Sequence, residues 1–89
     1  MVTKESDVVE ESYLFNIVSG LVDRPDKIKI NKTSDDMGIL LTLTVDKTDM
    51  GKVIGKKGNT AQSIRFLVHT FGYKNRKVIN VKILEPEFN

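Results

Sequence analysis

The sequence predicts an α+β domain of element order α-β-β-α-α-β, in which a three-stranded mixed sheet carries three helices on one face. Three observations point there. Leu14, Ile17, Val18, Leu21 and Val22 recur at helical spacing; Ile39, Leu41, Leu43 and Val45 alternate with period two; and Ala61, Ile64, Leu67, Val68 and Phe71 return to helical spacing before a last alternating segment. A chain of 89 residues, 39% hydrophobic and 29% charged, holds one such domain and not two.

The elements follow in order. Residues 1–10 mix Lys4, Glu5, Asp7 and Glu10 with few large apolar groups and are expected to form a flexible acidic extension. The first helix is expected at about residues 9–23, stopped by Pro25. Lys27-Ile28-Lys29-Ile30 starts a strand, Thr33 to Gly38 supplies turn chemistry, and residues 39–45 return as the second strand of a hairpin with one polar face. Thr48 is the expected cap of a short helix through Val53-Ile54, which Gly55 ends in a left-handed conformation. Asn59 is the expected N-cap of the long helix, closed by Gly72. After the basic connection 73–77, the last strand runs from Val78 to Leu84 with Ile79, Val81 and Ile83 inward, and Glu85-Pro86 ends it. A helical crossover allows the last two strands to pair in parallel, with a right-handed connection. The domain is thus expected at 11–85, with a tail at 86–89.

Composition excludes several function classes. There is no cysteine, hence no disulfide or thiolate chemistry, and the single histidine, His69, cannot build a metal cluster, so neither a metal nor a cofactor is expected. No apolar run approaches the ~18 residues of a membrane span, and the first residues lack the order of a signal peptide, which predicts a cytoplasmic chain. Gly51-Lys-Val-Ile-Gly-Lys-Lys57 fails as a nucleotide-hydrolysing P-loop: three residues separate its glycines instead of four, and no Ser or Thr follows the lysine to hold Mg²⁺. No enzymatic activity is expected.

Charge is divided along the chain. Residues 1–50 carry six Lys/Arg against ten Asp/Glu, a net −4, whereas residues 51–89 carry eight against two, a net +6, with no acidic residue between Gly51 and Lys82. This asymmetry suits an anionic partner; a merely solubilising basic face is the plainer alternative. The placement of Lys56 and Lys57 favours the first. Gly55-Lys56-Lys57-Gly58 lies between two helices, its glycines let backbone N–H groups approach a ligand closely, and the helix opening at Asn59 favours a phosphate.

These residues resemble the KH domain, whose signature is an isoleucine-glycine-x-x-glycine loop between two helices, matched by Ile54-Gly-Lys-Lys-Gly58. A helix first and a strand last look like the prokaryotic, type II arrangement. The chain further resembles the small stand-alone bacterial KH proteins of the KhpA group in Leu21-Val22-Asp23-Arg24-Pro25-Asp26, in Asp49-Met-Gly-Lys-Val-Ile-Gly-Lys-Lys-Gly58, and in Ala61 and Ile64-Arg65. The likeness covers about residues 11–84, and 49–65 is its most specific stretch. The acidic extension and Phe66-Leu-Val-His-Thr-Phe71, bulkier than the alanine-rich segment of that group, depart from it.

The resemblance implies binding of single-stranded RNA, with the loop clamping the backbone of about four nucleotides. Lys56 and Lys57 would face phosphates, Gly55 and Gly58 would permit the approach, Val53 and Ile54 would line the groove, Arg65 would reach a base edge or phosphate, and Lys52 would be a peripheral contact. It also implies an RNA chaperone or post-transcriptional regulator, acting as a homodimer or paired with a larger Jag-type KH protein, without a membrane partner. The alternative from the residues is a protein-interaction module with incidental RNA or single-stranded DNA binding. Tyr13, Phe15, Phe66 and Phe71 are expected in the core, leaving no stacking platform, and His69 is expected at the surface or its boundary. If mobile, the acidic extension could fold over the basic groove and weaken binding.

Overall fold

A computed structural model describes residues 3–84, with side chains from residue 9 onward. Helix α1 (Thr3–Ser19) is followed by the hairpin β1 (Lys29–Asp35) and β2 (Gly38–Thr44), the short helix α2 (Met50–Ile54), the long helix α3 (Asn59–Lys74) and strand β3 (Ile79–Ile83). The expected order α-β-β-α-α-β holds. The sheet order is β1-β2-β3, with β1 antiparallel and β3 parallel to β2, as the crossover allowed.

Helix α1 both starts and stops earlier than its apolar stripe suggested. No proline or glycine interrupts residues 3–9, and at the other end Gly20 breaks the run. The N–H groups of Leu21 and Val22 both turn back to the Val18 carbonyl, at 2.8 and 3.2 Å. Val22 still reaches the core, but Leu21 is left exposed. Glu10, expected in the flexible extension, is buried on α1, where its carboxylate accepts from Lys77 at 2.6 Å and Lys32 at 3.3 Å. These bonds join α1, β1 and the connection into β3. The tail at 86–89 lies outside the described residues.

The hairpin turn is tighter than expected. Thr33, Ser34 and Asp35 belong to β1, and only Asp36 and Met37 separate the paired residues Asp35 and Gly38. The Asp35 carboxylate accepts the Met37 N–H at 2.8 Å, so the turn is closed by a side chain and needs fewer residues. The register places Ile30 opposite Leu43, and Ile39, Leu41 and Leu43 beside Ile79, Val81 and Ile83, which makes one apolar sheet face. The opposite face carries Lys29, Asn31, Thr33, Leu40, Thr42, Thr44, Asn80 and Lys82, a polar surface as expected.

Leu14 and Val18 of α1, Val53 of α2, and Ile64 and Val68 of α3 are buried with Leu41, Leu43 and Ile79. Fully burying each such side chain contributes about 1.5–3 kcal/mol. The stripe on α3 is rotated from the expected one: Ala61, Ile64, Val68 and Gly72 are buried, while Leu67 is exposed. Gly72 does not close the helix. It lies inside α3 where β3 packs closest, and a Cβ there would stand 2.7 Å from Ile79 Cγ1 and 2.8 Å from the Lys77 carbonyl. Tyr13 and Phe71 stack across α1 and α3 with ring centres 4.2 Å apart. Phe15 and Phe66, by contrast, are exposed, Phe66 by 68%.

Candidate nucleic-acid interface

The loop is built from Asp46 onward. Asp46, and not Thr48, caps the turn Lys47–Asp49, because its carboxylate accepts both the backbone N–H and the hydroxyl of Thr48. Asp49 is fully buried and accepts the N–H groups of Asp23 and Arg24, each at 3.1 Å, which pins the start of α2 to the segment after α1. The Asp23 N–H holds its carboxyl below the usual carboxylate range; burial opposes, and the Arg24 N–H and Lys52 reinforce. Lys52 bridges Asp23 at 2.8 Å and Asp49 at 3.4 Å, and its ammonium is held above its ordinary range chiefly by Asp23.

Helix α2 then buries Met50 and Val53 and stops at Gly55, whose φ of 76° and ψ of 176° form a conformation essentially confined to glycine. A Cβ on Gly55 would lie 2.6 Å from Thr60 Cβ and 2.8 Å from Thr60 N. Lys57 (φ 56°, ψ 24°) and Gly58 (φ 77°, ψ 11°) are successive left-handed residues, so the chain reverses within the tripeptide 56–58. Gly58, and not Asn59, is the N-cap of α3; Asn59 already has helical torsions, and its N–H bonds the Lys56 carbonyl.

Beside this turn lies a groove of about 390 Å³ lined by Ile54, Lys57, Gly58, Ala61, Gln62, Arg65 and Ile83. Its walls are α3, the loop and the free edge of the sheet, since β3 is the outermost strand. Arg65 spans that gap, donating to the Val81 carbonyl at 3.3 Å through Nε and to Gln62 Oε1 at 3.0 Å. Among the described residues, Lys56 and Lys57 make no ion pair, whereas Lys52 and Lys77 are paired with acidic residues of the first half.

The expected site residues divide accordingly. Ile54, Lys57, Gly58 and Arg65 line the groove, and Lys56 and Gly55 stand in the turn at its mouth. Val53 does not line it, because its side chain is fully buried in the core. Lys52 faces Asp23 and Asp49, and Asn59 borders a neighbouring groove of α3 with Gln62, Ser63, Phe66 and Leu67. Ala61, Gln62 and Ile83 are additions to the expected set, Ala61 and Ile83 being expected in the core; Gln62 precedes Arg65 by three residues, which is the one local signal for it. Among the described residues no His, Cys, Asp and Glu side chains group as a metal site, and no helix is long and apolar enough to cross a membrane.

A G-x-x-G turn between two helices, at the open edge of a mixed sheet built in the order α-β-β-α-α-β, defines a type II KH domain. Residues 11–83 match the model of the KhpA/KhpB KH domain, and the chain belongs to that family. It is 43% identical over 75 residues to RNA-binding protein KhpA of Listeria monocytogenes (strain EGD-e), covering 84% of this chain and 99% of that one. The KhpA of Bacillus subtilis (strain 168) is 41% identical over 75 residues, covering 84% and 93%. That of Chlamydia caviae is 36% identical over 77 residues, covering 86% and 99%.

Proposed function

We propose that this chain binds single-stranded RNA, with Gly55, Lys56, Lys57 and Gly58 holding the sugar-phosphate backbone and bases lying between α3 and β3. The observation that carries the reading is that Lys56 and Lys57, free of ion pairs among the described residues, sit on a left-handed turn at the mouth of a groove wide enough to be lined by two helices and a strand. The names of the similar proteins, RNA-binding protein KhpA, support it. Ile54, Ala61 and Ile83 offer apolar floor to bases, and Arg65 offers a donor to a base edge or phosphate.

The test is charge reversal. Lys56→Asp combined with Lys57→Asp abolishes RNA binding in an anisotropy titration while the thermal melt stays close to that of the parent, because both side chains are exposed. Unchanged affinity sinks the reading. Competition between matched RNA and DNA oligomers decides between the two backbones.

A groove of this length makes few contacts, so binding is weak and loosely selective unless two grooves act together. The chain accordingly works as a homodimer or beside a larger Jag-type KH partner, as a chaperone or post-transcriptional regulator of RNA in the cytoplasm. Sedimentation of the chain alone and mixed with such a partner tests the assembly.

A further inference from the structure

Phe66 is an apolar ring that the core does not use: it is 68% exposed on α3. It borders a second groove of about 320 Å³, together with Gln62, Arg65 and His69 of α3 and Ile79, Asn80 and Val81 of β3. Gln62 and Arg65 also line the loop groove, so the two grooves adjoin along the α3–β3 seam. Arg65 marks the boundary, bonding Gln62 on its own helix and reaching across the seam to the Val81 carbonyl.

We propose that this second groove is a base-stacking subsite, which takes the unpaired base of a nucleotide beyond those held at the Gly55–Gly58 turn, on the face of Phe66. The inference rests on the RNA-binding reading above and extends it. A rigid aromatic face supplies stacking to any base, and Gln62, His69 and Asn80 surround it with hydrogen-bonding groups that suit a base edge. The free side of the edge strand β3 adds backbone groups that no neighbouring strand occupies. His69 in turn stacks on Tyr73, with ring centres 6.0 Å apart, which backs one wall of the subsite. Two carboxamides, an imidazole and a guanidinium around the ring, beside the cationic loop groove, favour a nucleotide over an apolar protein segment.

The experiment compares a four-nucleotide RNA with a six-nucleotide RNA, the latter also carrying a single abasic position moved along it, against the parent protein, Phe66→Ala and Phe66→Tyr. One base stacked on an aromatic side chain is worth roughly ten-fold in affinity. The expected result is that one abasic position outside the clamped four weakens the parent roughly ten-fold. Phe66→Ala loses the same factor on the intact six-mer, the two losses do not add, the four-mer is unaffected, and Phe66→Tyr restores binding. The proposal is overturned if no such abasic position exists, if Phe66→Ala weakens four-mer and six-mer alike, or if it leaves RNA affinity unchanged and alters sedimentation, which would mark Phe66 as a protein contact. A parent protein that binds neither RNA refutes the RNA-binding reading itself.

Discussion

The carboxylate of Asp49 accepts the backbone N–H of Arg24, 25 residues earlier in the chain, at 3.1 Å. Its other oxygen takes the N–H of Asp23, and Lys52 closes the arrangement from outside. A side chain at the start of α2 thus fixes the helix whose far end is the Gly55 turn, so the position of the Gly55–Gly58 loop is set from the segment after α1.

Asp49→Asn keeps one acceptor but turns an amide toward a backbone donor, leaving buried polar groups unmatched. The variant is expected to melt about 5–15 °C lower than the parent. Its RNA affinity is expected to fall as well, with the salt dependence unchanged, since no phosphate contact is removed. Calorimetry and salt-dependent titration measure the two effects; an unaltered melting temperature would show that α2 is held by its apolar contacts alone.

Lys52 and Lys57 are five residues apart but differ in their surroundings. For a single strand, each neutralised phosphate contributes about −0.7 to the slope of log affinity against log salt. Lys57→Ala is expected to make the slope shallower by about 0.7, and Lys52→Ala to leave it as it was, because Lys52 is already occupied by Asp23 and Asp49. Equal changes in both variants would return Lys52 to the interface.

Gly72 sits where α3 meets β3. Alanine there gains about 1 kcal/mol of helix propensity. The added methyl group would, however, press on the Lys77 carbonyl, 2.8 Å away, and on the side chain of Ile79. Overpacking of this kind costs about 1–3 kcal/mol, and because a backbone atom is one of the obstacles the upper part of that range applies. Gly72→Ala is therefore expected to destabilise by about 1–2 kcal/mol in chemical unfolding. A gain in stability would mean that the connection into β3 shifts freely.

Burial pushes the Glu10 carboxyl up, but hydrogen bonds from Lys77, from its own backbone N–H and from Lys32 outweigh that and hold it below its ordinary value of 4.5. As pH falls, the unfolded chain takes up this proton before the folded one. The stabilisation is therefore complete above about pH 4.5 and is lost as pH drops below it, through the folded-state value. Urea melts of the parent and of Glu10→Gln between pH 7 and pH 3 should converge at the acid end; a constant difference would place the acid sensitivity elsewhere.

Much of this architecture is legible in local patterning. The alternation of Ile39, Leu41 and Leu43 identifies the buried face of β2, and Ile54-Gly-Lys-Lys-Gly58 announces the turn, since backbone reversal and charge are encoded in adjacent residues. Patterning failed where rotation about an axis decides the outcome. Leu67 and Phe66 stand next to the buried positions Ile64 and Val68, and only packing of α3 on β3 determines that both face outward. Helix α2 is a five-residue segment, too short for a period to distinguish Val53, in the core, from Ile54, in the groove.

The order of elements, the split of charge between the halves and the glycine-bracketed lysines depend on short-range spacing, and the chain states them directly. Which cations remain available does not. Lys52 and Lys77 look like Lys56 and Lys57 in the sequence, yet the first pair is matched with Asp23, Asp49 and Glu10 once the fold brings distant segments together. An ion pair spanning 67 residues, such as that of Glu10 with Lys77, has no local signature, because its geometry exists only after the helices have docked on the sheet.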